Sequence, residues 1–194
     1  ISTTDFEENC KIWMIATENS YKNLMKDKEL VIKFDSIPID TMPLTIYERL
    51  GSYQNCYYKE RELNITSIEP RPQQQEIIER IQDHHRKYQH TVVYLHGPPG
   101  SGKSLVGVLL ANDYSGSYCN TLKPWQSGDN FADLYSEAEP SEDKPLIVVF
   151  DEFDAALLKI HEGIAPHKHL PTQVSDKNGW NQLLDSIQRG MYPH

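Results

Sequence analysis

Residues 97–104 read GPPGSGKS, and few stretches of eight residues leave a chain less freedom. Gly97, Gly102, Lys103 and Ser104 satisfy the pattern G-x-x-x-x-G-K-[ST], in which backbone N–H groups point inward around an anion. Glycines are needed because a Cβ would stand between backbone and anion. The lysine supplies a point charge for the β- and γ-phosphates of a nucleotide, and the serine hydroxyl offers a ligand to Mg²⁺. The candidate cradle is Gly97, Pro98, Pro99, Gly100, Ser101, Gly102, Lys103, Ser104 and Leu105. Its surroundings have the form this chemistry requires. TVVYLH (91–96) is a short apolar run of β-formers, and SLVGVLLAN (104–112) reads as a helix whose N-terminal dipole favours a phosphate. Strand, glycine-rich loop and helix together predict an α/β fold.

PLIVVFDEFD (145–154) supplies the other half of the chemistry. Leu146 to Phe150 predicts a central parallel strand, apolar on both faces. It delivers Asp151 and Glu152 at its C-terminal end, where open α/β sheets collect their ligands. Asp151 suits the Mg²⁺ shell that Ser104 begins, and Glu152 is placed to polarise a water attacking the γ-phosphate.

The residues around this strand carry a resemblance. GDNFADLYSEAEPSEDKPLIVVFDEFDAAL (128–157) is similar to the AAA clade of the AAA+ ATPases. There a G-[ED]-[ST] turn opens a helix, an F/Y-x-x-A follows, and a strand ends in D-E-[IV]-D. WNQLLDSI (180–187) resembles the helix that reads N-Q-L-L-x-x-[ML]-D in that clade. The resemblance covers about residues 74–194. It implies a P-loop NTPase with a parallel, three-layer α/β/α core over residues 71–194, ATP and Mg²⁺ as ligands, and ATP hydrolysis with Lys103 and Glu152 as catalytic residues. It also implies a homo-oligomeric ring that remodels or translocates a substrate, with protein as the favoured substrate.

The same resemblance makes TLKPWQSGD (121–129) the first pore loop and Trp125 its candidate aromatic. The usual aromatic-hydrophobic-Gly triplet is replaced here by Trp-Gln-Ser-Gly. An exposed Trp on such a loop can grip a polypeptide, meet another subunit or tuck into the core. The family fold has a further strand between the phosphate-loop strand and the DEFD strand, followed by arginine fingers. No such strand is expected before GMYPH (190–194), so the resemblance implies a gap between the strands that present Lys103 and Asp151. Arg189 does not occupy the finger position.

Ahead of the core, residues 1–70 read as a small mixed α+β region carrying no chemistry. A helix is expected over 4–27, a strand over 29–34, a short helix over 44–51 ended by Gly51, and strand character over 55–68. EPRPQQ (69–74) marks the boundary, and 73–88 reads as a helix leading to the phosphate-loop strand. The chain begins at Ile1 with no secretory apolar region, as expected of a sequence that starts inside a longer polypeptide.

Composition narrows the partners. A net charge of −9 weighs against the alternative reading with the same ATP site, a nucleic-acid translocase or helicase of viral superfamily 3 type. Lys123 and Lys168 are thin material for a backbone-tracking channel. A small-molecule phosphotransferase and a nucleotide-bound scaffold are weaker readings again. Cys10, Cys56 and Cys119 are too dispersed for a disulfide framework, which suits a reducing compartment, cytoplasmic or nuclear. No apolar run approaches the roughly 18 residues of a membrane span. His84, His85 and His90, and the loop residues His161, His167 and His169, match no standard metal-ligand spacing and read as solvated or supporting residues.

Overall fold

Two twelve-residue strands, β1 (Thr41–Ser52) and β2 (Asn55–Thr66), form an antiparallel hairpin at one side of a four-stranded sheet. The computed structural model describes residues 41–52, 54–66 and 68–194, so the helix expected over 4–27 and the strand expected over 29–34 lie outside the described residues. After the hairpin come α1 (Pro72–Tyr88), α2 (Lys103–Asp113), β3 (Ser117–Cys119), α3 (Phe131–Ala138), β4 (Leu146–Val148), α4 (Phe153–Glu162) and α5 (Lys177–Gln188). The strand order is β2-β1-β3-β4. β1 runs parallel to β3, with Thr45 and Ile46 opposite Ser117 and Tyr118, and β3 runs parallel to β4.

The short helix expected over 44–51 is instead part of β1. Leu44, Tyr47 and Leu50 mimic a helical stripe, but the two sides of the segment meet different layers. Leu44 and Ile46 pack with Ala111 of α2 and with Tyr118, whereas Tyr47 joins Tyr58, Leu134 and Ala138 on the α3 side. Period-two burial of this kind fits a strand between two helical layers. The hairpin therefore belongs to the sheet of the core, and Asp40–His194 form one compact unit. The expected boundary near residue 70 falls inside that unit.

Helix α2 lies close on the sheet because Gly107 lets it. A Cβ at Gly107 would come within 2.4 Å of Val149 Cγ2 and 3.3 Å of the Tyr118 ring. Behind α2, α1 contributes Ile78, with Ile77 and Ile81, to a cluster with Val106, Leu109 and Leu110. Two of the remaining helices start with a side-chain cap. Asn130 Oδ1 accepts the Asp133 N–H to cap α3, and Asp176 Oδ1 accepts the Gly179 N–H to cap α5, both at 2.9 Å.

Residues 91–96, expected as a strand, join no β-ladder among the described residues. Val92, Val93, Tyr94 and Leu95 are all exposed. Opposite them runs the β4 segment, assigned as strand only over Leu146–Val148 and half-buried rather than enclosed on both faces. Between the two lies a cavity of about 1170 Å³, lined in part by Val92, Tyr94, Ile147, Val149, Leu183 and Tyr192. One residue links the chain on its two sides: the His194 N–H donates to Gln89 O at 2.7 Å, and His194 O accepts the Leu146 N–H at 2.8 Å. The slot lies where the resemblance implies a gap.

Candidate nucleotide-binding site

The phosphate loop takes the backbone shape that its glycines permit. Gly100 (φ +74°) and Gly102 (φ +85°) both occupy the left-handed region, where a side chain is strained. Gly102 is the N-cap of α2, so Lys103 and Ser104 open that helix. The Lys103 ammonium curls back over the loop, donating to Gly97 O at 2.9 Å and Pro98 O at 3.0 Å. Pro99 lines the adjacent cavity, the Ser101 N–H closes a turn onto Pro98 O, and Leu105 packs into the α1–α2 cluster. An ammonium has three donors, so this lysine has capacity for an anion in the cradle.

Ser104 and Asp151 meet across 47 residues of sequence, with Ser104 Oγ donating to Asp151 Oδ1 at 2.5 Å. Both side chains are exposed to the same opening. A hydroxyl and a carboxylate converging at the start of α2 form the oxygen-rich donor set that Mg²⁺ prefers. Glu152 follows as the N-cap of α4, at φ 50° and ψ 36°, a conformation uncommon for a residue with a Cβ. Its carboxylate makes no capping bond and stays exposed. Behind Asp151, burial together with the neighbouring Asp151 charge pushes the Tyr118 phenol up to about 12, so Tyr118 stays neutral at physiological pH.

Trp125 does not project from its loop. Its ring is half-buried, 5.4 Å from Phe150 and 5.7 Å from Phe153 between centroids, and Phe153 lies tilted against Trp180 at 4.7 Å. Of the placements the residues left open, the structure takes the core. Phe150 and Phe153 flank Asp151 and Glu152 in sequence, so this aromatic cluster anchors the chain on both sides of the acidic turn.

The end of the same loop is held by residues to which the sequence assigned no role. Asp129 is fully buried; it accepts from Tyr58 Oη at 2.6 Å, from Arg49 Nε at 2.9 Å and from the Lys123 N–H at 2.9 Å. Burial and the Asp129 carboxylate push the Tyr58 phenol well up, keeping it a donor. Arg49 also reaches Gln126 Oε1, and its own N–H donates to Thr121 Oγ1 at 2.8 Å. The one available signal was Asp129 in the Gly-Asp turn; its hairpin partners lie 71 and more residues away. Gln74, buried beside Gly102, was missed as well.

Of the histidines singled out in the sequence, His85 and His90 line the cavity and the others lie away from it. His84 is exposed beside Thr91, and His161, His167 and His169 are exposed on α4 and the loop beyond it. His85 packs edge-on to Tyr114 and His194, and burial, with the His194 charge, holds its pKa below the usual value.

Comparison with known proteins finds a relative and a family. The chain is 30% identical over 99 residues to Protein CdcH of Halobacterium salinarum, a match covering 47% of this chain and 12% of that protein. The chain thus spans only a small part of that relative's length. No solved structure matches it. A model of the ATPase family associated with various cellular activities matches residues 93–189, from the phosphate-loop approach through α5, which is half of the chain. The fold is accordingly of the α/β P-loop NTPase type, and the chain belongs to the AAA family of ATPases.

Proposed function

We propose that this chain carries the nucleotide site of an ATP-hydrolysing, ring-forming motor that remodels or threads protein. The observation that carries the reading is the Ser104–Asp151 contact, which joins the end of the phosphate loop to the acidic turn and sets Glu152 beside it. In this reading the loop amides and the Lys103 ammonium bind and neutralise the phosphates, exchanging the Gly97 and Pro98 carbonyls for phosphate oxygens. Ser104 and Asp151 would hold Mg²⁺, which would supply positive charge against the phosphate oxygens. Glu152, unengaged at the head of α4, accepts a proton from water. A β-strand placed in the slot between residues 91–96 and β4 would pair both edges and fix the distance between Lys103 and Asp151. We assign the loop 121–129 as the substrate-facing segment, with Trp125 as its root in the core and not its tip.

The test is binding of a fluorescent ATP analogue with Mg²⁺. Lys103→Ala should weaken it at least about 10-fold, or roughly 1.4 kcal/mol, because the ammonium is the loop's one full positive charge. Equal affinity for parent and variant would refute the assignment.

A further inference from the structure

Gln74 stands in the first turn of α1 with its side chain 5% exposed. A buried amide costs stability unless both of its ends are met, and an apolar residue of the same size would avoid that cost. Both ends are met here. Oε1 accepts the Arg71 N–H at 2.9 Å, which fixes the amide to the start of α1, and Nε2 donates to Gly102 O at 2.9 Å. The amide also fills the space beside Gly102: a Cβ built there would lie 2.6 Å from Gln74 Nε2.

The peptide unit that Gln74 grips matters. Gly102 O and the Lys103 N–H belong to one planar trans peptide, so they point in opposite directions. Holding the carbonyl toward Gln74 aims the Lys103 N–H the other way. As the N-cap of α2, Gly102 presents a carbonyl that also accepts the helix's first intrahelical bond, and Gln74 adds a side-chain hold on that carbonyl where a glycine at φ +85° has no Cβ to restrain it. The first N–H groups of a helix have no partner within the helix and are the donors that an anion uses.

We propose that Gln74 is a positioning residue for the phosphate loop: by holding the Gly102 carbonyl it presents the Lys103 amide to the nucleotide's phosphates. The proposal rests on the ATP reading above. Gln74 touches no phosphate in this scheme; it acts through the peptide it orients.

The experiment uses the 194-residue chain with two size-matched substitutions. Gln74→Glu keeps the acceptor for Arg71 but loses the donor and sets a carboxylate against Gly102 O. Gln74→Met loses both bonds. Fluorescent ATP and AMP analogues are titrated with Mg²⁺ against parent, both variants and Lys103→Ala, and the thermal midpoint of each nucleotide-free protein is recorded. Both Gln74 variants should bind the ATP analogue about 5- to 10-fold more weakly, as expected for one lost amide–phosphate bond. They should bind the AMP analogue as the parent does, and melt cooperatively without nucleotide. Three results overturn the proposal while leaving the ATP site in place: unchanged ATP affinity with Lys103→Ala still impaired, equal losses for ATP and AMP, or loss of the cooperative melt in both variants. If Lys103→Ala also binds ATP normally, the nucleotide reading fails and takes the proposal with it.

Discussion

At Glu152 the chain places a carboxylate where backbone geometry resists it. A left-handed residue just ahead of a helix is usually glycine or asparagine, and holding a glutamate there costs on the order of 1 kcal/mol. The exposed carboxylate makes no cap and projects next to Asp151, which is already engaged by Ser104. The two acids therefore have separate work and should fail differently. Glu152→Gln should keep Mg²⁺-dependent ATP binding and lose turnover in a hydrolysing assembly, by about 10²-fold or more, since an amide cannot accept the proton. Asp151→Asn should instead raise the Mg²⁺ concentration needed for binding. Single-turnover hydrolysis beside a Mg²⁺ titration separates the two, and parental turnover by Glu152→Gln would assign the base elsewhere.

Among the elements, the hairpin does more than widen the sheet. Arg49 on β1 and Tyr58 on β2 converge on buried Asp129, so the loop 121–129 is tied at its far end to a part of the chain remote in sequence. Tyr58→Phe removes one donor from a buried carboxylate and should cost about 1–3 kcal/mol, read as a lower urea midpoint with an unchanged slope. A midpoint within error of the parent would mean that Arg49 and the Lys123 amide suffice. This tie also marks where the sequence stops being readable. The phosphate loop with its helix and the DEFD turn were legible because each rests on local spacing, glycines at fixed offsets and an apolar run ending in two acids, while α5 was legible through the resemblance of WNQLLDSI (180–187). The segment 44–51 was not, because Leu44, Tyr47 and Leu50 suit a helix equally well and only pairing with β2 and with Ser117 and Tyr118 decides for a strand. Gln74 hid for a similar reason. Within QQQ (73–75) nothing local says which glutamine turns inward, and its partner Gly102 lies 28 residues on.

For the whole molecule, the cavity beside the phosphate loop is lined by one Lys or Arg among the described residues, Lys103. Phosphoryl transfer spreads negative charge over the γ-phosphate oxygens, and one ammonium meets only part of it. The 194-residue chain alone should therefore bind ATP yet hydrolyse it slowly. An assembling form in which a neighbouring subunit contributes a cation should show specific activity that rises with protein concentration. Fast turnover by the isolated chain, independent of concentration, would mean the site is complete in one subunit. The two flanks of the sheet also differ in a way that bears on how copies meet. Along β2, exposed Lys59, Glu60, Arg61 and Glu62 alternate in sign, and Arg61 is already held by Glu48. A strand docking there would have to desolvate these charges, which blunts the outer flank against edge-to-edge growth. On the slot side, beside β4, the chain presents exposed Val92, Val93, Tyr94 and Leu95 instead. As a template for another chain, the four described strands are open along β4 and guarded along β2.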